Sequence, residues 1–222
     1  MKQVTSTREE KKARHRQAIL EAARDVFFRD GFMAANLDEV AQLAGVAKGT
    51  LYRYFDSKAE LYVAVLAESG EAFEQRFRET LDPRLAADEQ LRKTARFYFE
   101  HYTRNRQYFQ IFWAVENQPV IGELPPAVLD EVTRLWEQCL RVPAEIIERG
   151  IREGVFRSCD PWEVANILWV LANGLIETEA VSARRELRGR PLPDVFDDAL
   201  ELFMRGLLRD PGHASESRSE TG

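Results

Sequence analysis

The chain has 222 residues, 45% of them hydrophobic and 31% charged, with a net charge of −6. That is enough chain to bury one large core or two small ones, and it excludes the composition of a disordered polymer. Two cysteines (Cys139, Cys159) and three scattered histidines (His15, His101, His213) exclude a disulfide framework or a metal-binding spacing, so neither metal nor cofactor is expected.

The N-terminus has no apolar run, which argues against a secretory signal. Residues 1–58 carry a net +3 and the remainder −9. A basic head on an acidic body suits a polyanion partner. Residues 1–11 read as a flexible basic arm. Ile19, Ala22, Ala23, Val26 and Phe27 recur on one helical face, and Gly31 stops that helix. Asn36 ahead of Leu37, Asp38 and Glu39 reads as a capping box for a short helix through Val40, Ala41 and Ala44. Gly45 ends it, and a second short helix runs from Ala47 or Lys48 to about Tyr54. Ser57 and Glu60 form another capping box. The helix they open carries Leu61, Tyr62, Val65, Leu66, Phe73 and Phe77 on one side and ends near residue 80, before Pro83.

A helix over about 88–104 is rich in aromatics, with Phe97, Tyr98, Phe99 and Tyr102. Tyr108, Phe109, Phe112 and Trp113 mark a shorter one, and residues 117–126 a loop. Val128, Val132, Leu135, Trp136, Cys139, Ile146 and Ile147 trace a long amphipathic helix that Pro143 should kink and Gly154 ends. Asp160, Pro161 and Glu163 supply the cap, first-turn proline and N3 acid of a helix running to about Arg188. The last helix has a stripe of Val195, Phe196, Ala199, Leu200, Phe203, Met204, Leu207 and Leu208. Residues 211–222 read as a disordered tail. The longest apolar stretch, Ile167 to Ile176, is too short to span a bilayer, so a cytoplasmic protein with no membrane partner is expected. No strand-like alternation occurs, and the fold class is all-α.

Two short helices joined at Gly45 and preceded by a longer one make a helix-turn-helix pattern. Val40, Ala41, Val46 and Leu51 should fix the angle between them. The second then offers Lys48, Gly49, Thr50, Tyr52, Arg53 and Tyr54 outward, a face of cations, hydroxyls and bare backbone suited to a DNA major groove. The run Leu37 to Lys58, LDEVAQLAGVAKGTLYRYFDSK, closely resembles the DNA-binding domain of TetR/AcrR-type transcriptional regulators. The resemblance covers about residues 12–72. It implies an N-terminal three-helix DNA-binding domain over 12–58, continuing into a linking helix to about 80. A larger helical ligand-binding and dimerisation domain would occupy 83–210.

The resemblance also implies roles. Lys48, Gly49 and Thr50 match positions that read base edges. Tyr52, Tyr54 and Lys58 match phosphate contacts, and Arg53 stands among them. Leu37 lies where backbone N–H groups meet phosphate. Lys11, Lys12, Arg14 and Arg16 would form an arm along the minor groove. Asp38 departs from the family, standing where a basic residue is frequent.

For the second domain, Phe97, His101, Tyr102, Phe109, Phe112, Trp113, Trp136, Cys139, Trp169 and Asn173 are expected around a pocket for a small apolar or aromatic effector. Glu116, Asn117 and Glu177 are further polar candidates there. The last two helices are expected to form a homodimer interface through Trp162, Ala165, Gly174, Phe196, Leu200, Phe203 and Leu207. Together these readings give a homodimeric, ligand-responsive regulator of a palindromic operator in double-stranded DNA, most often a repressor in this family. A corepressor-dependent regulator is the alternative. An enzyme is disfavoured, since the chain lacks a Glu-x-x-His pair, a glycine-rich phosphate loop and a GxSxG elbow.

Overall fold

The computed structural model describes residues 3–117 and 125–209. Of the loop expected over 117–126, residues 118–124 lie outside the described residues, as do the expected tail 211–222 and His213. Among the described residues the chain forms ten helices and no strand. They are α1 (Gln3–Ala34), α2 (Leu37–Leu43), α3 (Lys48–Tyr52), α4 (Lys58–Glu79), α5 (Ala87–Arg104), α6 (Arg106–Asn117), α7 (Pro126–Arg152), α8 (Pro161–Thr178), α9 (Ser182–Arg188) and α10 (Leu192–Leu207).

The capping signals act locally. Asn36 Oδ1 accepts the Asp38 N–H at 2.8 Å and opens α2. The expected reciprocal half of that box is replaced: the Glu39 carboxylate takes Arg29 at 2.8 Å. At α4 the Glu60 N–H bonds Ser57 Oγ at 3.0 Å, and the Glu60 carboxylate reaches back one residue beyond the cap, to the Asp56 N–H. Asp160 accepts from the Trp162 and Glu163 N–H groups, and Pro161 follows as the first helical residue. Residues 3–11, expected as a flexible arm, form the first turns of α1. Gly31 interrupts α1 with a φ of 72°, close to the expected stop. The helix expected to reach Arg188 breaks after Thr178 into α8 and α9, bent by 107°. The Thr178 hydroxyl satisfies the Leu175 carbonyl, and the last turn closes through Glu179. Helix α7 runs through Pro143 without ending. Among the described residues no single helix is long and apolar enough to cross a membrane.

The chain divides into two compact units, at Glu74/Gln75, Arg104/Asn105 and Trp136/Glu137. The first holds α1 to α3, most of α4, α6 and the start of α7. Its core is Ile19, Leu20, Ala23, Val26 and Phe27 of α1 against Val40, Leu51, Phe55, Leu61 and Tyr62. This division cuts the domain expected over 83–210, because α6 packs with the N-terminal helices. Tyr108 lies 4.4 Å from the Phe28 ring, and the Tyr62 hydroxyl donates to the Ile111 carbonyl at 2.7 Å.

The second unit holds the end of α4, α5, the rest of α7, and α8 to α10. Phe99 stacks on Phe196 at 4.0 Å, and Arg92 and Arg96 of α5 pair with Glu201 and Asp197 of α10. Buried Gln90 is fully used: it accepts from the Asp82 N–H and donates to Thr80 O and Thr94 Oγ1. The turn after α7 folds back so that the Phe156 ring covers Gly150. A Cβ on Gly150 would stand 2.2 Å from Phe156 Cδ2 and 3.0 Å from Ala87 Cβ. Gly150→Ala is therefore expected to cost about 2 kcal/mol, despite the better helix propensity of alanine. Urea unfolding of the two proteins measures it.

Candidate functional site

The interface candidate is built on α2 and α3. Val46 donates its N–H to the Ala41 carbonyl at 3.0 Å, and Gly45 takes a φ of 66°, which closes the turn in a conformation few side chains tolerate. Thr50 and Leu51 then turn back onto the Ala47 carbonyl. Leu51 is fully buried and anchors α3, while Lys48, Gly49, Tyr52 and Arg53 face outward and Thr50 is half-buried. Beyond its chain neighbours and its own helix backbone, nothing lies within 4 Å of where a Gly49 Cβ would be, so the backbone is open there.

Around this face the cations are held rather than loose. Lys48 Nζ lies 2.7 Å from Asp38 Oδ1. Lys58 Nζ donates to the Met33 carbonyl at 3.1 Å and sits over the Phe32 ring, and partial burial pulls its pKa down. The Arg53 guanidinium lies over the Tyr54 ring, whose other edge meets His15. Tyr54 is half-buried. Leu37 is buried, so its side chain belongs to the core and only its backbone is available at the start of α2. Lys11, Lys12 and Arg14 are exposed on α1. Arg16 stands over the Phe55 ring at 5.5 Å, so it belongs to the folded helix and not to a free arm.

The second unit contains a small apolar cavity of about 30 Å³ lined by Phe77, Leu91, Thr94, Ala95, Tyr98, Cys139, Pro143, Ala165, Leu168, Trp169 and Ala172. Cys139 and Trp169 were expected there. Asn173 lies behind it, fully buried: its Oδ1 accepts from the Tyr98 hydroxyl at 2.7 Å, and its Nδ2 has no hydrogen-bond partner. Tyr102 packs on Tyr98, and Phe97 stacks between Phe77 and His101. Phe109, Phe112, Trp113 and Trp136 do not line it. They belong to the first unit, because α6 and the start of α7 pack there. Glu177 is exposed, and the side chains of Glu116 and Asn117 lie outside the described residues. The lining residues missed by sequence, such as Leu91, Ala95 and Ala172, are ordinary core positions with no distinguishing signal.

The expected dimer residues also separate. Ala165, Phe196, Leu200 and Leu207 are buried inside their own unit and cannot face a partner. Trp162 and Gly174 are exposed and Phe203 is half-buried. Ile167, Val170 and Leu202, at 50, 53 and 70% exposure, form the outward apolar face instead. Cys159 is half-buried, and desolvation pushes its thiol pKa up, which opposes a reactive thiolate. Among the described residues no three His, Cys, Asp or Glu side chains converge on a metal site.

The model of the tetR family of bacterial regulatory proteins matches residues 19–65, and the tetracyclin repressor-like C-terminal domain matches residues 84–177. The chain is 30% identical over 205 residues to the HTH-type transcriptional activator FasR of Mycolicibacterium smegmatis, covering 92% of this chain and 86% of that one. It belongs to the TetR family. The HTH-type transcriptional repressor NicS of Pseudomonas putida is 32% identical over 155 residues, 69% of this chain and 71% of its own. Among solved structures, the regulator FadR from Bacillus subtilis in complex with stearoyl-CoA shares the fold. Its TM-score is 0.68 at 19% identity, over 86% of this chain and 98% of that one. The TetR-type helix-turn-helix is thus α2 and α3 of this chain, and the protein is a DNA-binding transcriptional regulator.

One group beside the cavity gives a pH signature. Half-buried His101 has its pKa pulled down to about 4 by desolvation, with Arg76 adding to the shift. An unfolded histidine titrates near 6.5, so between roughly pH 6.5 and 4 the unfolded chain binds more protons, and stability is lost as the pH is lowered through that range. A histidine NMR titration is expected to place His101 near 4. A His101→Gln variant should lose less stability than the parent between pH 7 and pH 5.

Proposed function

We propose that this TetR-family protein is a homodimeric repressor that binds a palindromic operator in the cytoplasm and is released by a small apolar or aromatic effector. It would act as a regulator without catalysis. The observation that carries the reading is the outward face of α3: Lys48, open backbone at Gly49, and Thr50 for base edges, beside Tyr52, Arg53, Tyr54 and Lys58 for phosphates. Two such helices from a dimer would enter half-sites roughly 34 Å apart. Backbone N–H groups at Leu37 would add a phosphate contact.

The dimer reading rests on Trp162, Ile167, Val170 and Gly174 of α8 together with Leu202 and Phe203 of α10. The space around Gly174 is open, which supports close approach of a partner helix.

The effector reading rests on the cavity. Apart from Tyr98 and Cys139 its lining carries no ionisable group, which favours a neutral, apolar body. Asn173 Nδ2 is a buried donor without an acceptor, which favours a ligand bearing a carbonyl-type oxygen. The cavity now has room for about one water, so a larger effector must part the helices around it. That requirement supplies the two states an effector needs in order to change DNA affinity. The stearoyl-CoA bound by the Bacillus FadR makes acyl compounds the first to test.

Binding to the DNA upstream of the protein's own gene, titrated with salt against a random-sequence control, tests the regulator reading. Specific and strongly salt-dependent binding is expected. Lys58→Ala should weaken it roughly ten-fold and make the salt slope shallower by about one. Equal affinity for operator and random DNA under all effector conditions would sink the reading. For the dimer, Ile167→Asp with Val170→Asp is expected to give a folded monomer in sedimentation that no longer holds a palindrome. A variant that stays dimeric would move the interface elsewhere.

A further inference from the structure

We propose that Asp38 is a specificity-determining residue: its carboxylate and the Lys48 ammonium act as one acceptor–donor unit that reads a G·C pair in each half-site. The inference rests on the DNA-binding reading of α2 and α3. The pair is direct, 2.7 Å from Nζ to Oδ1, with the two side chains 55 and 60% exposed. It bridges the first turn of α2 and the first residue of α3, the end of a recognition helix that meets base edges.

The fold gains only a modest first-turn dipole interaction from an acid at this place. Asn36 already caps α2 by taking the Asp38 N–H, and an ion pair this exposed stabilises little. The neighbouring acids are committed elsewhere: Glu39 and Asp30 hold Arg29, and Glu60 holds the Asp56 N–H. Asp38, with Lys48, stays on the recognition face, where a carboxylate beside phosphates costs affinity unless it also finds a donor on the DNA.

The major groove provides one. A G·C pair presents the N7 and O6 acceptors of guanine beside the N4 amino donor of cytosine. Lysine over guanine and aspartate over cytosine satisfy both edges together. An A·T pair in the same orientation sets its N6 donor against the ammonium and its O4 acceptor against the carboxylate. Asp38 therefore disfavours wrong sequences more than it strengthens the right one, which is how a repulsive group creates specificity. While paired, Lys48 also releases little counterion from a phosphate, so random DNA binds more weakly.

The test is selection from a randomised operator pool with the full-length protein, Asp38→Ala and Lys48→Ala, followed by salt titrations on random DNA. The parent is expected to fix a G·C pair at one position per half-site. Both variants should relax that position and no other. Asp38→Ala should bind random DNA several-fold more tightly, with a salt slope steeper by about one. Asp38→Asn, which keeps an acceptor and loses the charge, should show the random-DNA change while retaining part of the preference. If Asp38→Ala, with an unchanged melting curve, selects the parent motif and binds random DNA as the parent does, the pair is a surface ion pair and the proposal fails. If the parent itself selects no motif, the DNA-binding reading fails first.

Discussion

The helices that carry the DNA-binding face are seven and five residues long, too short to persist in water alone. Their geometry depends on the apolar core beneath them. Val40 and Leu51 are fully buried and point into the α1 and α4 layer formed by Ile19, Val26, Phe27 and Leu61. With Leu51 fixed, the rotation of α3 is fixed, and Lys48, Gly49, Tyr52 and Arg53 must face away. A base-reading surface needs side chains held to within a fraction of an ångström, and rigid support from packing is what provides this. The same arrangement frees the outer residues to vary, because none of them carries the fold.

The second unit uses burial differently. Gln90 and Asn173 are both removed from water, yet only Gln90 has all its bonds made within the protein. A buried amide nitrogen without an acceptor costs stability, and it sits behind Tyr98 at the wall of the cavity. Tyr98 and Tyr102 are buried with their hydroxyl pKa values raised by desolvation, so this wall stays uncharged across the physiological range. The cavity lining is therefore uncharged, and the Asn173 Nδ2 close to it has no acceptor within the protein.

Much of this was legible in the sequence because it is local. Capping residues act within three or four positions, so Asn36, Ser57 and Asp160 marked their helices correctly, and the recognition run from Ala44 to Lys58 named its own architecture. What sequence left unread is what depends on partners distant in the chain. A helix such as α8 is apolar on several faces, and periodicity alone does not say which face meets its own core. Ala165, Phe196, Leu200 and Leu207, expected at an interface, fill the core of their own unit, while Ile167, Val170 and Leu202 on the same helices are exposed. The aromatics of α6 were grouped with those of α5 by proximity in sequence, although Tyr108 and Ile111 tie α6 to the N-terminal helices. Glu39 has the spacing of the acid in a capping box headed by Asn36, but Arg29 offers it a stronger charged partner.

The charge balance constrains how such a protein can be switched. Residues 1–58 carry a net charge of only +3, and beyond a Debye length of about 8 Å exposed charges are largely screened, so general attraction to DNA is modest. On the proposed reading, affinity then comes from a few held contacts on α3, α4 and the start of α2. Effector coupling is typically worth about 1–3 kcal/mol, a factor of roughly 5 to 150 in affinity. Such a factor empties an operator only where binding is not far above threshold. A strongly basic surface would leave the protein on DNA whatever the effector did. On the proposed reading, weak general attraction, cations already tied to Asp38 and Met33, and a cavity that must open to be filled all favour a DNA complex that a modest internal change can undo.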